Sequence, residues 1–127
     1  EDNSVTIAVE NLPGNINATC TTAKELLEVI EGTTAGICFD LGHANTAGEV
    51  ANMLRHLQLF RNVHLHNNEG QWDQHNRIDD GTADLEAAVS ALKAAYSGNI
   101  VIESTDLSEG VESKTVLERL LHDHPAP

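Results

Sequence analysis

Glu10, Asp40, His64 and Glu103 are ionisable residues that recur in one local context. Each stands at or near the end of a short stretch in which apolar and polar residues alternate, and each lies on the face opposite the aliphatic one. Three carboxylates and an imidazole gathered at one rim make a hard, mixed oxygen and nitrogen donor set for a divalent cation. Carboxylates this close oppose one another's ionisation unless a cation compensates. A single Glu at a strand end is ordinarily an exposed rim charge, and a single inward His is ordinarily a hydrogen-bonded core residue. Four such residues in the same phase weigh against that bland explanation, because burying an unpaired charge is costly. His66 follows His64 by two and shares its face. Two further groups extend the set: His43, three residues beyond Asp40, and the Asp73-Gln74-His75 pair, whose side chains could reach a common ion. His56, His122 and His124 lack such a context and are expected at the surface. Trp72 beside Asp73 either anchors a loop or walls a pocket, and Cys38 reads as a small inward core residue.

The elements that must carry these residues follow from periodicity. Residues 5–10, 36–40, 62–66 and 100–103 alternate with period two and read as strands. Between them lie helical stretches. Thr22 with Glu25, and Thr46 with Glu49, have capping-box spacing. Leu26, Leu27 and Ile30 mark the first helix, and Val50, Met53, Leu54 and Leu57 the second. Leu85, Ala88, Val89 and Leu92 mark the third, closed by Ser97-Gly98. Val116, Leu117, Leu120 and Leu121 mark the last, before His124-Pro125-Ala126-Pro127 frays. Strand and helix alternate four times, which implies an α/β fold with a parallel sheet and outer helices. Residues 67–81 form the longest stretch without periodicity, and so long a loop is usually functional or mobile.

Composition narrows the function. The 127 residues suffice for one small domain, and with aromatics at 3% its core must be built from Ala, Val, Ile and Leu. Twenty acidic against seven basic side chains, a formal charge of −13, argue against a nucleic-acid grip by this segment and exclude a polybasic membrane anchor. No apolar run approaches the roughly 20 residues of a spanning helix, and a cytoplasmic protein is expected. Cys20 and Cys38 lack CxxC spacing, so neither a disulfide framework nor a Cys-based zinc finger is supported. The acidity also suits a salt-adapted, halophilic cytosol. The opening Glu1-Asp2-Asn3-Ser4 has no Met and no signal peptide, and reads as a cut just upstream of a strand.

VENLPG at 9–14, CFDLGHAN at 38–45, VHLHNNEG at 63–70, WDQHNRIDDG at 72–81 and VIES at 101–104 resemble the C-terminal half of the xylose-isomerase-like TIM barrel. That superfamily contains sugar and sugar-phosphate isomerases and epimerases and the endonuclease IV family of AP endonucleases. The resemblance covers nearly the whole chain. It implies that residues 1–127 are a (β/α)4 half of a TIM barrel, strands 5 to 8 with their outer helices. It also implies that Glu10, Asp40, His64 and Glu103 end those four strands and bind one divalent metal such as Mn, Mg, Co or Zn. In the isomerases and epimerases the two Glu move protons, which makes Glu10 and Glu103 the expected catalytic residues. His43 and His66 are expected to contact a sugar. In the endonucleases His43, Asp73 and His75 would match the ligands of a further zinc, while another zinc needs His residues from the other barrel half. The chain departs from the family at Asn67, where Asp is common, and at Leu12-Pro13-Gly14-Asn15, where the endonucleases are Gly-rich.

These readings favour a metal-dependent isomerase or epimerase acting through an enediolate, with an endonuclease IV-type AP endonuclease as the alternative. A third reading is a non-catalytic metal- or sugar-binding fragment, because half a (β/α)8 barrel leaves two unpaired edges. The segment is expected either to pair with a missing N-terminal half-barrel or to form a homodimer.

Overall fold

The computed structural model describes residues 4–123. Its strands are β1 (Ala8–Glu10), β2 (Gly36–Asp40), β3 (Phe60–Leu65) and β4 (Ile100–Ile102). Its helices are α1 (Ala23–Ile30), α2 (Leu41–Ala47), α3 (Val50–Leu54), α4 (Leu85–Ala95) and α5 (Leu107–Asp123), with a 3-10 turn at Leu57–Leu59. The sheet runs in the order β1-β2-β3-β4 and every pairing is parallel. This is the (β/α)4 half of a TIM barrel. Because all four strands point the same way, their C-terminal tips share one edge of the sheet.

The alternation expected from sequence is what builds the layers. Ile37, Phe39, Val63 and Leu65 are fully buried and join Leu26, Met53, Ala88, Val89 and Leu92 in one core. Phe39 stacks on Phe60 with ring centroids 5.0 Å apart, supplying the aromatic contact between β2 and β3. Helix α1 starts where its capping box predicts: Thr22 accepts from the Glu25 amide, and the Glu25 carboxylate accepts from the Thr22 amide. Those bonds hold the Glu25 carboxyl below its usual range.

Several details differ from the sequence expectation, among them the close of α4 at Tyr96 and not at Ser97-Gly98. Pairing of the first strand begins only at Ala8, opposite Gly36 where β2 begins, and Val5 and Ile7 are exposed. Thr46 and Glu49 do not form a capping box. Asp40 caps a helix that follows β2 without a loop, and Gly48 ends it in the left-handed region at φ 68°. Thr46 therefore lies inside α2, where its hydroxyl donates to the His43 carbonyl and accepts from the Gly14 amide. The last helix begins at Leu107, ahead of its apolar stripe, with the Asp106 carboxylate accepting from the Ser108 and Glu109 amides. The expected fraying of His124-Pro125-Ala126-Pro127 lies outside the described residues, as do Glu1, Asp2 and Asn3.

Candidate metal and catalytic site

Glu10 is the last residue of β1, Asp40 the last of β2, and His64 the penultimate residue of β3. Glu103 follows β4 directly, its amide donating to the Leu65 carbonyl at 3.0 Å. Parallel register sets Asp40 beside His64, so the carboxylate and the ring meet at the sheet edge. One donor atom from each of Glu10, Asp40, His64 and Glu103 lies within 4.8 Å of all the others. Ligands about 2.1 Å from a common cation are separated by roughly 3.0 Å when adjacent and 4.2 Å when opposite, and the separations of 2.8, 3.4 and 4.0 Å from His64 to Glu103, Glu10 and Asp40 lie close to that range.

The hydrogen bonding around the cluster is as informative as the distances. His64 Nδ1 lies 2.8 Å from Glu103 Oε1, 3.4 Å from Glu10 Oε1 and 4.0 Å from Asp40 Oδ2. Yet His64 Nδ1 and Asp40 Oδ2 are buried and make no hydrogen bond. Buried polar atoms are almost always bonded. Atoms that converge but are not aimed at one another are what a shared cation requires. Burial pushes the Glu10 carboxyl up, with Asp40 and Glu103 adding to that push and His64 and His43 opposing it. Burial alone would also raise Asp40, but the His66 and His43 rings outweigh it and hold its carboxyl below the usual range.

A second cluster lies against the first. One ligand atom from each of His43, His66, Asp73 and His75 falls within 4.8 Å of the rest. His43 Nδ1 donates to the Asn11 carbonyl at 2.8 Å, and its Nε2 lies 3.2 Å from Asp73 Oδ2. His75 Nε2 reaches the same oxygen at 3.2 Å, and His66 Nε2 lies 3.5 Å from Asp73 Oδ1 and 3.0 Å from Asp40 Oδ1. Both nitrogens of the fully buried His66 lack hydrogen-bond partners, as does Asp73 Oδ1. Burial disfavours an imidazolium at His66, but Asp40 and Asp73 outweigh it and raise its pKa. Gly42 is required beside this ring, since a Cβ there would collide with His66.

The loop residues of the second cluster are held by side-chain amides. Buried Asn67 donates to the Ile78 carbonyl at 2.8 Å and accepts from the Asn68 and Ala83 amides at 2.9 and 3.0 Å. Asn68 donates to the Gly42 carbonyl at 2.8 Å. Asn67 and Asn76 exchange backbone bonds, folding residues 67–76 back on themselves. His75 adopts φ 53°, an uncommon conformation for a non-glycine residue. The rings of His66 and His75 then stack at 3.9 Å.

Every expected site residue is therefore found at one sheet edge. His66, read from sequence as a substrate contact, is fully buried between Asp40 and Asp73. Asn11 is a residue that sequence reasoning missed. Fully buried, it bonds the Asp40 backbone with both ends of its amide, at 2.8 and 2.9 Å, and carries His43 on its carbonyl. An Asn directly after the strand-ending Glu10 is the only sequence signal for it. Cys38 is buried with Sγ beside Glu10 and His64, and its thiol is pushed up to about 12, by burial first and then by Glu10 and Asp40. Trp72 is exposed, and His122 is at the surface, whereas His56 is half-buried. A groove of about 830 Å³ between α1 and α3 is lined by Leu27, Ile30, Arg55 and His56 and contains none of the site residues. Among the described residues no helix is long and apolar enough to cross a membrane.

Comparison with known proteins agrees with this fold. Over 129 aligned residues the chain is 36% identical to the uncharacterised protein MJ1311 of Methanocaldococcus jannaschii, covering 95% of this chain and 44% of that protein. The crystal structure of a D-tagatose 3-epimerase-like protein superposes with a TM-score of 0.87 at 34% identity, over 94% of this chain and 48% of that one. A xylose isomerase domain protein from Planctomyces limnophilus superposes with a TM-score of 0.70 at 22% identity, over 94% of this chain and 47% of that one, and shares the fold. The chain thus spans about half the length of the relatives it matches. The model of the xylose isomerase-like TIM barrel family matches residues 1–121, and the chain belongs to that family.

Proposed function

We propose that this chain is the site-bearing C-terminal half-barrel, residues 1–127, of a divalent-metal-dependent sugar or sugar-phosphate isomerase or epimerase. The observation that carries the reading is the convergence of Glu10, Asp40, His64 and Glu103 within 4.8 Å, with two of their buried donor atoms left without hydrogen bonds. Membership in the family and the 34% identical epimerase-like structure support it. These four residues fit a hard divalent cation such as Mn, Mg, Co or Zn. Bound there, such a cation supplies Lewis-acid polarisation of a sugar carbonyl. The chain's own residues do the rest. Glu10 and Glu103 are each about a third exposed, so each keeps a face toward a substrate in the barrel mouth. One takes the proton from the carbon beside the carbonyl, and the enediolate so formed is reprotonated by the other. His43, held by Asn11, orients the substrate, and the His66 ring 3.0 Å from Asp40 Oδ1 favours the ionised Asp40 carboxylate.

A second reading rests on the loop cluster. His43, Asp73 and His75, joined by His66, form a further ligand set, as a multi-zinc endonuclease IV-type site would require. The charge of −13 stands against a phosphodiester substrate on this half. Both readings need the barrel completed, by an N-terminal half-barrel or by a second copy of the chain.

Equilibrium dialysis against Mn, Co and Zn tests the site itself. The chain is expected to bind a cation, and Glu10→Gln and His64→Ala are each expected to weaken binding on the order of 100-fold. Unchanged affinity in both variants removes the metal reading. With the barrel completed, turnover of ketose sugars supports the isomerase, and cleavage of abasic-site DNA supports the nuclease.

A further inference from the structure

Asn62 lies on β3 two residues before His64, on the same face of the strand and in register with Cys38 of β2. Its amide nitrogen stands 3.0 Å from His64 Nε2. A neutral imidazole has one donor and one acceptor nitrogen, so whatever bonds Nε2 decides the state of Nδ1. With the amide N–H directed at Nε2, that nitrogen accepts and the ring proton sits on Nδ1. Nδ1 lies 2.8 Å from Glu103 Oε1 and 3.4 Å from Glu10 Oε1, near both carboxylates but in hydrogen-bond alignment with neither. A cation at the same place needs the opposite tautomer, with a bare Nδ1 and a proton on Nε2. Nδ1 is buried and has no hydrogen bond to hold it in either state. The two orientations of an Asn amide have the same shape, and turning it over exchanges a donor for an acceptor.

We infer that Asn62 is a positioning residue that sets the tautomer of His64: its amide donates to Nε2 when the carboxylates stand alone, and turns over to accept from Nε2–H when His64 Nδ1 ligates a cation. The inference rests on the metal-site reading only for its second half. Asn62 touches neither the cation nor the substrate and acts through the ring. Metal-binding histidines are commonly oriented in this way through their other nitrogen, and loss of that partner typically weakens binding by about 10–100-fold.

The test uses the full chain in three forms: wild type, Asn62→Leu, which keeps the size and removes the hydrogen bond, and Asn62→Asp, which offers only acceptors. Nitrogen NMR of the histidines, without metal and with saturating Zn, reads the tautomer directly, and calorimetry with Zn alone reads affinity. Expected are a change of His64 tautomer on loading in the wild type, a redistributed tautomer in metal-free Asn62→Leu, and an affinity loss of about 10–100-fold in Asn62→Leu that Asn62→Asp restores. The same metal-free tautomer distribution in wild type and Asn62→Leu would overturn the inference. So would equal loss of affinity in Asn62→Leu and Asn62→Asp, since that marks a packing role. If the wild type binds no Zn, the metal reading fails on its own, and the metal-free spectra still decide whether Asn62 governs the ring.

Discussion

The two ligand clusters are built in opposite ways. Glu10, Asp40, His64 and Glu103 sit at the tips of parallel strands, where backbone pairing places them before any side chain chooses a partner. Asp73 and His75 sit in a loop with no regular ladder, placed by the buried amides of Asn67 and Asn68 and by a left-handed turn at His75. Asp40 and His66 join the clusters, their nearest atoms 3.0 Å apart. The strand-tip cluster therefore has the rigidity of the sheet, and the loop cluster only that of a side-chain network. Cations at the two places should differ accordingly in how easily they are lost.

The largest effect should come from breaking the link. Asp40→Asn keeps the shape and an acceptor for the His43 amide but removes the charge shared by His64, His43 and His66. A Co titration followed by visible absorption should show strand-tip affinity down on the order of 100-fold, with a smaller loss at the loop cluster. His75→Ala should weaken only the loop cluster, because its ring reaches Asp73 at 3.2 Å and stands 3.6 Å from the far oxygen of Glu103. Equal losses at both clusters in His75→Ala would show that they act as one site.

Comparable in size is the effect of Asn67→Ala. It strands the Ile78 carbonyl and the Ala83 amide in the interior and should cost about 2–4 kcal/mol in a denaturant melt. Hydrogen exchange should rise across residues 67–83 while β2 and β3 stay protected. Protection lost equally in loop and sheet would mean that the loop network is part of the core.

The smallest effect is a pH slope. The Glu10 carboxyl is raised above its ordinary value, so between that value and its folded value the native chain holds more protons than the unfolded one. Stability of the metal-free chain should therefore fall as pH rises through that window. Glu10→Gln should remove this part of the slope and raise the midpoint at neutral pH, while weakening metal binding. Thermal melts without metal from pH 4 to 8 check it, and an unchanged slope would place the strain elsewhere.

Much of the sheet and its site was legible in the sequence because strand periodicity is local. Alternation in residues 36–40 is enough to put Phe39 in the core and Asp40 at the rim, and the structure keeps both. The capping box at Thr22 was legible for the same reason. The one at Thr46 failed because Asp40, a stronger cap six residues earlier, had already begun the helix. Val5 and Ile7 alternate correctly, but pairing depends on where β2 starts, which their own segment does not record. His66 was visible as a same-face neighbour of His64. Its place beside Asp73 was not, because that depends on how residues 67–76 fold back.

By itself the sequence determined which residue types stand at four strand tips and that those strands alternate with helices, since both follow from spacing along the chain. Only the tertiary structure decided that the loop turns back over the rim, that Asn11 anchors Asp40 and His43, and that His66 is buried between two carboxylates. Those outcomes depend on contacts between residues that local spacing does not link, where hydrogen-bond geometry and close packing, not periodicity, set the answer.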